Sequence, residues 1–256
     1  MTQHVSVSDK FTFYGDLLGI ATAYNLGATI AYRKLNDFYN IVFHHLEPIC
    51  IENPGKISVQ MFSDSVVIWG EGTLLIMTCL LDIYPELLRH NLLLRGALVD
   101  GALEKEPRIE IADFRKFLPA NDTLARAVGL EKTVKGARLL IESSVATRLL
   151  ADRQSWLTVE SYNDDLCPAI PLGSPLRRIC PLPSGTSYEL LYFWERDNGL
   201  DKKFDKKFRD TAEFYEPAVV EHFRETMGVF KRSQHRKKST EIDFQDAVVD
   251  PPQEAI

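Results

Sequence analysis

Between Ala21 and Leu46 the chain is largely free of Gly and Pro, and Ile30, Leu35, Phe38, Ile41, Val42 and Leu46 recur every three to four positions. That period belongs to a helix with one apolar face. After Pro48, Pro54 and Gly55, which read as its stop, the pattern changes at once to ISVQMFSDSVVIW over 57–69. This run is rich in β-branched residues and broken by Ser63-Asp64-Ser65, so it reads as two short antiparallel strands with Asp64 near the tip of their turn. A long amphipathic helix leading straight into a hairpin points to a mixed architecture, a sheet with a helical layer against it.

The rest of the chain extends the same alternation. FTFYGDLLGI (11–20) begins with alternating aromatics and ends at Gly19, a strand running into a tight turn. Thr73 to Arg89 reads as a second helix, with Pro85 implying a kink or an early end. LLRGALVDGAL (93–103) reads as a strand in which Gly96 and Gly101 leave room for something to approach the backbone. A helix over Asp122 to Lys132 with Asn121 or Asp122 as its cap, a strand over Ala137 to Ile141 and a short helix from Ser143 follow. The order β, α, β, β, α, β, α, β predicts an α+β, ferredoxin-like core: an antiparallel sheet with helices on one face. Beyond it we expect a loop over 162–185, a strand from Tyr188 to Trp194 with its aromatics in the core, and helix from Lys202 to Phe230 broken at Pro217.

Composition restricts the partners. A net charge of -6 over 256 residues excludes attraction of the whole surface to nucleic acid or anionic lipid. Cys50, Cys79, Cys167 and Cys180 show no CxxC spacing and suit a reducing compartment. The segment MTQHVSVSDK has no apolar signal core, and runs such as Leu92 to Leu94 are too short to cross a bilayer. We therefore expect a cytoplasmic protein with no membrane and no nucleic-acid partner.

Two carboxylates stand where chemistry is easiest to place. Asp16 lies where a strand ends in a Gly-containing turn, and Asp64 at a hairpin tip. Taken singly, each is explained by turn chemistry. Together, at strand ends on one edge of a sheet, they suit hard divalent cations that also bind substrate phosphates.

The segments holding this pair resemble class III nucleotidyl cyclases. FYGDLLGI resembles the family's first strand, FSDSVVIW its second metal-binding Asp on the following hairpin, and Asn121-Asp-Thr-Leu-Ala-Arg-Ala-Val-Gly-Leu-Glu131 its catalytic helix. The likeness covers residues 10–150. RGA at Arg95 to Ala97 and LEKTVKGARLLI look most like the bacterial pyrimidine cyclases of phage defence, which make cyclic UMP or cyclic CMP. The resemblance implies a catalytic core over 1–160 with an extension over 161–231 packing on it, and the basic KRSQHRKKST run before an acidic, Pro-containing end reads as a disordered tail over 232–256.

It also implies a mechanism. Two Mn²⁺ or Mg²⁺ ions would be bridged by Asp16 and Asp64 with the carbonyl of Leu17, and amides of Leu18, Gly19 and Ile20 would hold phosphates. Gln60 and Asp122 would read the base, and the neutral amide of Gln60 favours UTP. A homodimer with active sites at its interface follows, because family sites lie between two such domains. The chain departs from the pattern at Ala125 and Gly129, where many members carry Asn and Arg. Arg126 stands in for the missing cation, with Lys135 and Arg138 as other candidates. The histidines show no metal spacing and read as solvent-facing. Two rival readings remain open, a degenerate domain that binds nucleotide without turnover and an unrelated palm-type protein.

Overall fold

The computed structural model describes residues 9–106, 117–151, 178–182, 187–192 and 220–233. Its elements are β1 (Lys10–Leu17), α1 (Ile20–Leu26), α2 (Ala28–Glu52), β2 (Ile57–Phe62), β3 (Ser65–Glu71), α3 (Thr73–Arg89), β4 (Leu94–Asp100), α4 (Thr123–Glu131), β5 (Leu139–Glu142), α5 (Ser143–Ala151), β6 (Ile179–Pro181) and β7 (Ser187–Leu190). Residues 220–233 are helical. One seven-stranded sheet runs in the order β2-β3-β1-β4-β5-β7-β6. All neighbours are antiparallel except β4 and β5. Since β1 and β2 each pair antiparallel with β3, they are parallel to one another with β3 between them, the split βαβ of a ferredoxin-like core.

Alternation along β1 decides which layer each residue meets. Phe11, Phe13 and Leu17 join the main core with Phe38 of α2 and Ile76, Leu80 and Tyr84 of α3. Thr12, Tyr14 and Asp16 face the other way, where Val67, Trp69 and Leu103 form a smaller cluster joined by Leu124. Helix α4 therefore covers the second face, and the helices form two layers rather than one. Burying each large side chain of the main core contributes about 1.5–3 kcal/mol, so the α2/α3 layer dominates stability.

Several boundaries differ from the sequence expectation. The long helix divides at Gly27, whose φ of 147° suits glycine. Pro48 does not stop α2, which runs on to Glu52 and is capped by Asn53, whose side-chain amide donates to the Ile49 carbonyl at 3.1 Å. The carbonyl that Pro48 leaves without a helical donor belongs to His44, an exposed residue that water can satisfy. Pro85 likewise sits inside α3. Strand β6 falls within the expected loop, where β7 offers it an edge, and β7 ends at Leu190. Tyr192 is buried as expected, whereas Phe193, Trp194 and residues 202–219 lie outside the described residues.

Gly96 does not leave space for a ligand. A Cβ there would stand 2.7 Å from the Phe13 ring and 2.8 Å from the Tyr84 hydroxyl oxygen. Gly96→Ala is expected to lower unfolding free energy by about 1–3 kcal/mol through overpacking. Urea denaturation checks this, and an unchanged midpoint would refute the packing account.

Helical residues 220–233 are fastened to the connection before β5. The Gly136 and Ala137 N–H groups donate to His222 Nδ1 and Thr226 Oγ1, each at 2.9 Å. Gly136 has φ 88°, and a Cβ there would meet the Thr226 backbone N at 2.9 Å. Arg232 bonds Glu189, and Ser233 is fully buried, so the expected disorder does not begin at 232. Residues 234–256 lie outside the described residues.

Candidate active site

Asp16 is the last residue of β1 on the α4 face, opposite Ser65 of β3 and Arg95 of β4. The Ser65 hydroxyl donates to Asp16 Oδ1 at 3.0 Å and lies 3.2 Å from the Tyr14 hydroxyl. A two-residue turn, with Ser63 at a φ of 46°, joins β2 to β3 and presents Asp64. The Leu17 N–H donates to the Asp64 carbonyl at 2.7 Å, which pins the hairpin tip to the end of β1. Strand pairing and this one bond bring the two aspartates to one end of the sheet.

Burial raises the pKa of Asp16; the Ser65 hydrogen bond opposes it, the charge of Asp64 raises it further, and Arg95 lowers it. Ser65 donates to Oδ1 of Asp16, and the Asp64 carboxylate has no hydrogen-bond partner among the described residues. A divalent cation between the two carboxylates would offset both the cost of burying a charge and their mutual repulsion. No group of three or more His, Cys, Asp or Glu gathers among the described residues. Further ligands would therefore be carbonyl, water and phosphate oxygens, the set Mg²⁺ prefers, and in that sense the donors fit.

The pair opens onto a cavity of about 540 Å³, within the range of small-molecule sites. Asp16, Leu17, Leu18, Gly19, Ile20 and Asp64 line its sheet end. Gly19 is left-handed at φ 81°. The first intrahelical bond of α1 runs from Ala23 N–H to the Gly19 carbonyl, so the Ile20 N–H has no helical acceptor. The Leu18 N–H, in contrast, donates to the Leu93 carbonyl at 2.8 Å. Leu18 is thus a wall of the cavity, and its amide is not a phosphate donor.

The remaining sequence candidates lie elsewhere. Arg126 donates to both Glu142 carboxylate oxygens at 2.7 and 2.8 Å and to the Asp100 carbonyl at 2.7 Å. Asp100 pairs with Phe11 whereas Arg95 pairs with Asp16, which puts Arg126 at the opposite end of the sheet from the aspartates. It clamps α4 to β4 and β5. Asp122 makes no side-chain capping bond; it is exposed and pairs with Arg126 at 3.4 Å. Asn121 supplies the local bonds instead, accepting from the Thr123 hydroxyl at 2.9 Å. Gln60 pairs with Val67 on the edge strand β2, on the face of Tyr14 and Asp16 but level with Tyr14, two residues back along β1 from Asp16. Arg138 is held by Glu189 and Lys135 by Glu221.

Three cationic or titratable groups near the cavity escaped sequence reasoning. Arg95 pairs with buried Glu131 at the end of α4. Lys34 lines the cavity from α2. It stands four residues after Ile30 and four before Phe38, a charge on the apolar stripe, and that spacing was the available signal. His222 lines the cavity from the C-terminal helical residues and is not solvent-facing. Burial, then the Arg95 and Lys135 charges, lower its pKa. His45 is also partly buried, 2.7 Å from Glu86.

Among the described residues no helix is long and apolar enough to cross a membrane. No protein-family model matches this sequence, and no curated protein does. Among solved structures the chain is similar to the adenylyl cyclase CyaB from P. aeruginosa, at 15% identity over 56% of this chain and 80% of that chain, TM-score 0.41. It is similar to the guanylate cyclase domain of RhGC from Catenaria anguillulae at 13% identity, 57% and 84% coverage and TM-score 0.43. The monomeric guanylyl cyclase domain of the RhoGC fusion protein from the aquatic fungus Blastocladiella emersonii gives 12% identity, 72% and 95% coverage and TM-score 0.44.

Proposed function

We propose that this chain is a metal-dependent nucleotidyl cyclase that converts UTP to 3′,5′-cyclic UMP and pyrophosphate. The observation that carries this reading is the convergence of Asp16 and Asp64 on one edge of a nucleotide-sized cavity. In the reaction the ribose 3′-oxygen forms a bond to the α-phosphorus, the bond from that phosphorus to the β-phosphate bridging oxygen breaks, and the hydroxyl proton leaves to water. Divalent cations, when bound, would stabilise the developing 3′-alkoxide and the leaving pyrophosphate.

The chain's own residues supply position. Asp16, fixed by Ser65, and Asp64, fixed through its carbonyl, present carboxylate oxygens from rigid strand ends. The Leu17 carbonyl would complete the metal ligands, and the amides of Gly19 and Ile20 would meet phosphate oxygens. Gln60 would read the base, an amide able both to donate to and accept from a uracil edge. The resemblance of RGA and LEKTVKGARLLI to pyrimidine cyclases supports this choice and a second-messenger role in bacterial phage defence.

A homodimer belongs to the same proposal. Asp122 lies at the far end of its own sheet, while Ala125 and Gly129 form the exposed face of α4, one turn apart. Isologous pairing would set that face against the partner's cavity. Sedimentation should give a dimer mass, and full activity from a monomeric species would contradict it.

A degenerate nucleotide-binding domain is the second reading, favoured by the engagement of Arg126 with Glu142. Incubation with each nucleoside triphosphate and Mn²⁺ separates them: cyclic UMP with pyrophosphate is expected. Preferred conversion of another triphosphate would correct the base, and binding without product from any of them would support the degenerate domain.

A further inference from the structure

We infer that Lys34 and His222 form the polyphosphate-binding subsite of the cavity that Asp16 and Asp64 open onto, with Lys34 as its cation. This rests on the cyclase reading for the identity of the substrate, and on the cavity alone for the chemistry of the ligand, a di- or triphosphate.

Charge is the starting point. A nucleoside triphosphate brings about four negative charges, and carboxylates can meet it only through metal ions. Arg95 and Arg138 already have acidic partners, Glu131 and Glu189, and Arg126, at the far end of the sheet, has Glu142. Lys135 has Glu221. Lys34 has no hydrogen bond or ion pair among the described residues, and burial is the sole influence on its ammonium, lowering its pKa. A half-buried cation without a counter-charge is a standing cost unless something occupies the cavity beside it.

Placement gives Lys34 a rigid mount. It stands one turn after Ile30, which lines the same cavity, on a helix anchored by buried Phe38, Ile41 and Val42. His222 enters from a different element. Because the Gly136 N–H donates to its Nδ1 at 2.9 Å, that nitrogen is unprotonated and the ring proton sits on Nε2. Nε2–H has no acceptor among the described residues. A charged and a neutral donor thus line the cavity from separate elements, with the two aspartates at its sheet end. The arrangement suits a chain of phosphates held by metal at one end and by direct donors along its length.

The test uses inorganic pyrophosphate as the probe, titrated calorimetrically into the full chain with Mn²⁺, beside UTP turnover on the same samples. Lys34→Gln should weaken pyrophosphate binding and raise the KM for UTP roughly ten- to a hundredfold, the value of a charged hydrogen bond. The kcat should change less, because the contact is made in ground and transition states alike. Lys34→Arg should restore most of the loss, which a packing role would not predict. His222→Gln should weaken pyrophosphate in the same direction. Arg33→Ala, an exposed neighbour on the same helix, is the control. Pyrophosphate binding unchanged in Lys34→Gln would overturn the subsite even if the wild type cyclises UTP. Lys34-dependent pyrophosphate binding without any cyclic product would support the subsite and overturn the cyclase reading instead.

Discussion

Asp16→Asn is expected to lower cyclisation by at least about a thousandfold, since metal-assisted charge stabilisation at a reacting phosphate is worth several kcal/mol. The fold should survive. The asparagine oxygen can still accept from Ser65, which now donates to Asp16 Oδ1 at 3.0 Å. Burial, with the charge of Asp64, raises the pKa of Asp16, so the fold disfavours its ionised form. Removing that charge should leave the metal-free protein at least as stable as wild type at neutral pH. Mn²⁺ should raise the wild-type melting temperature, by the equivalent of about 2.7 kcal/mol at a hundredfold excess over Kd. The variant should show no such shift. Activity within tenfold of wild type, or an undiminished Mn²⁺ shift, would remove Asp16 from the site.

Glu189→Ala should produce the largest loss of stability. The carboxylate is 1% exposed and accepts from Arg138 Nε at 2.6 Å and Arg232 Nε at 3.0 Å. Truncation leaves Arg138 buried with, among the described residues, only Glu225 as an acidic neighbour, at 3.9 Å. Breaking a buried pair from one side costs about 3–5 kcal/mol, a large share of the roughly 5–15 kcal/mol that holds a domain folded. The loss should be visible beyond the melting curve. Arg232 belongs to the helical residues whose His222 and Thr226 accept from Gly136 and Ala137, so those two amides should exchange faster with solvent. Loosening this segment also displaces a wall of the cavity, which predicts a raised KM for UTP. A destabilisation under about 1 kcal/mol would show that the pair is not what fastens the segment.

Most of the core elements, and the position of both aspartates at strand ends, are legible in local spacing, whereas β6 is not. Helical spacing over 21–46 and β-branched strands around Ser63-Asp64-Ser65 are properties of neighbouring residues, and so is the strand-to-turn passage at Asp16. Because strand alternation and turn chemistry are local, they placed both carboxylates at strand ends before any packing was known. The break at Gly27 and the passage of α2 through Pro48 lie outside that local frame, since a helix end depends on what its carbonyls can reach.

Which charges line the cavity follows from tertiary contacts. Arg126 looked available on its helix, yet the register that sets Asp16 beside Arg95 and Phe11 beside Asp100 carries it to the far end of the sheet, onto Glu142. The Leu18 amide looked free in its turn until the α3–β4 connection brought up the Leu93 carbonyl. Lys34 and His222 gain meaning only because α2 and the C-terminal helical residues meet around one cavity. Local spacing marks Lys34 as a charge on an apolar stripe, but which ion pairs close and which cation faces the cavity depends on contacts between segments far apart in the chain.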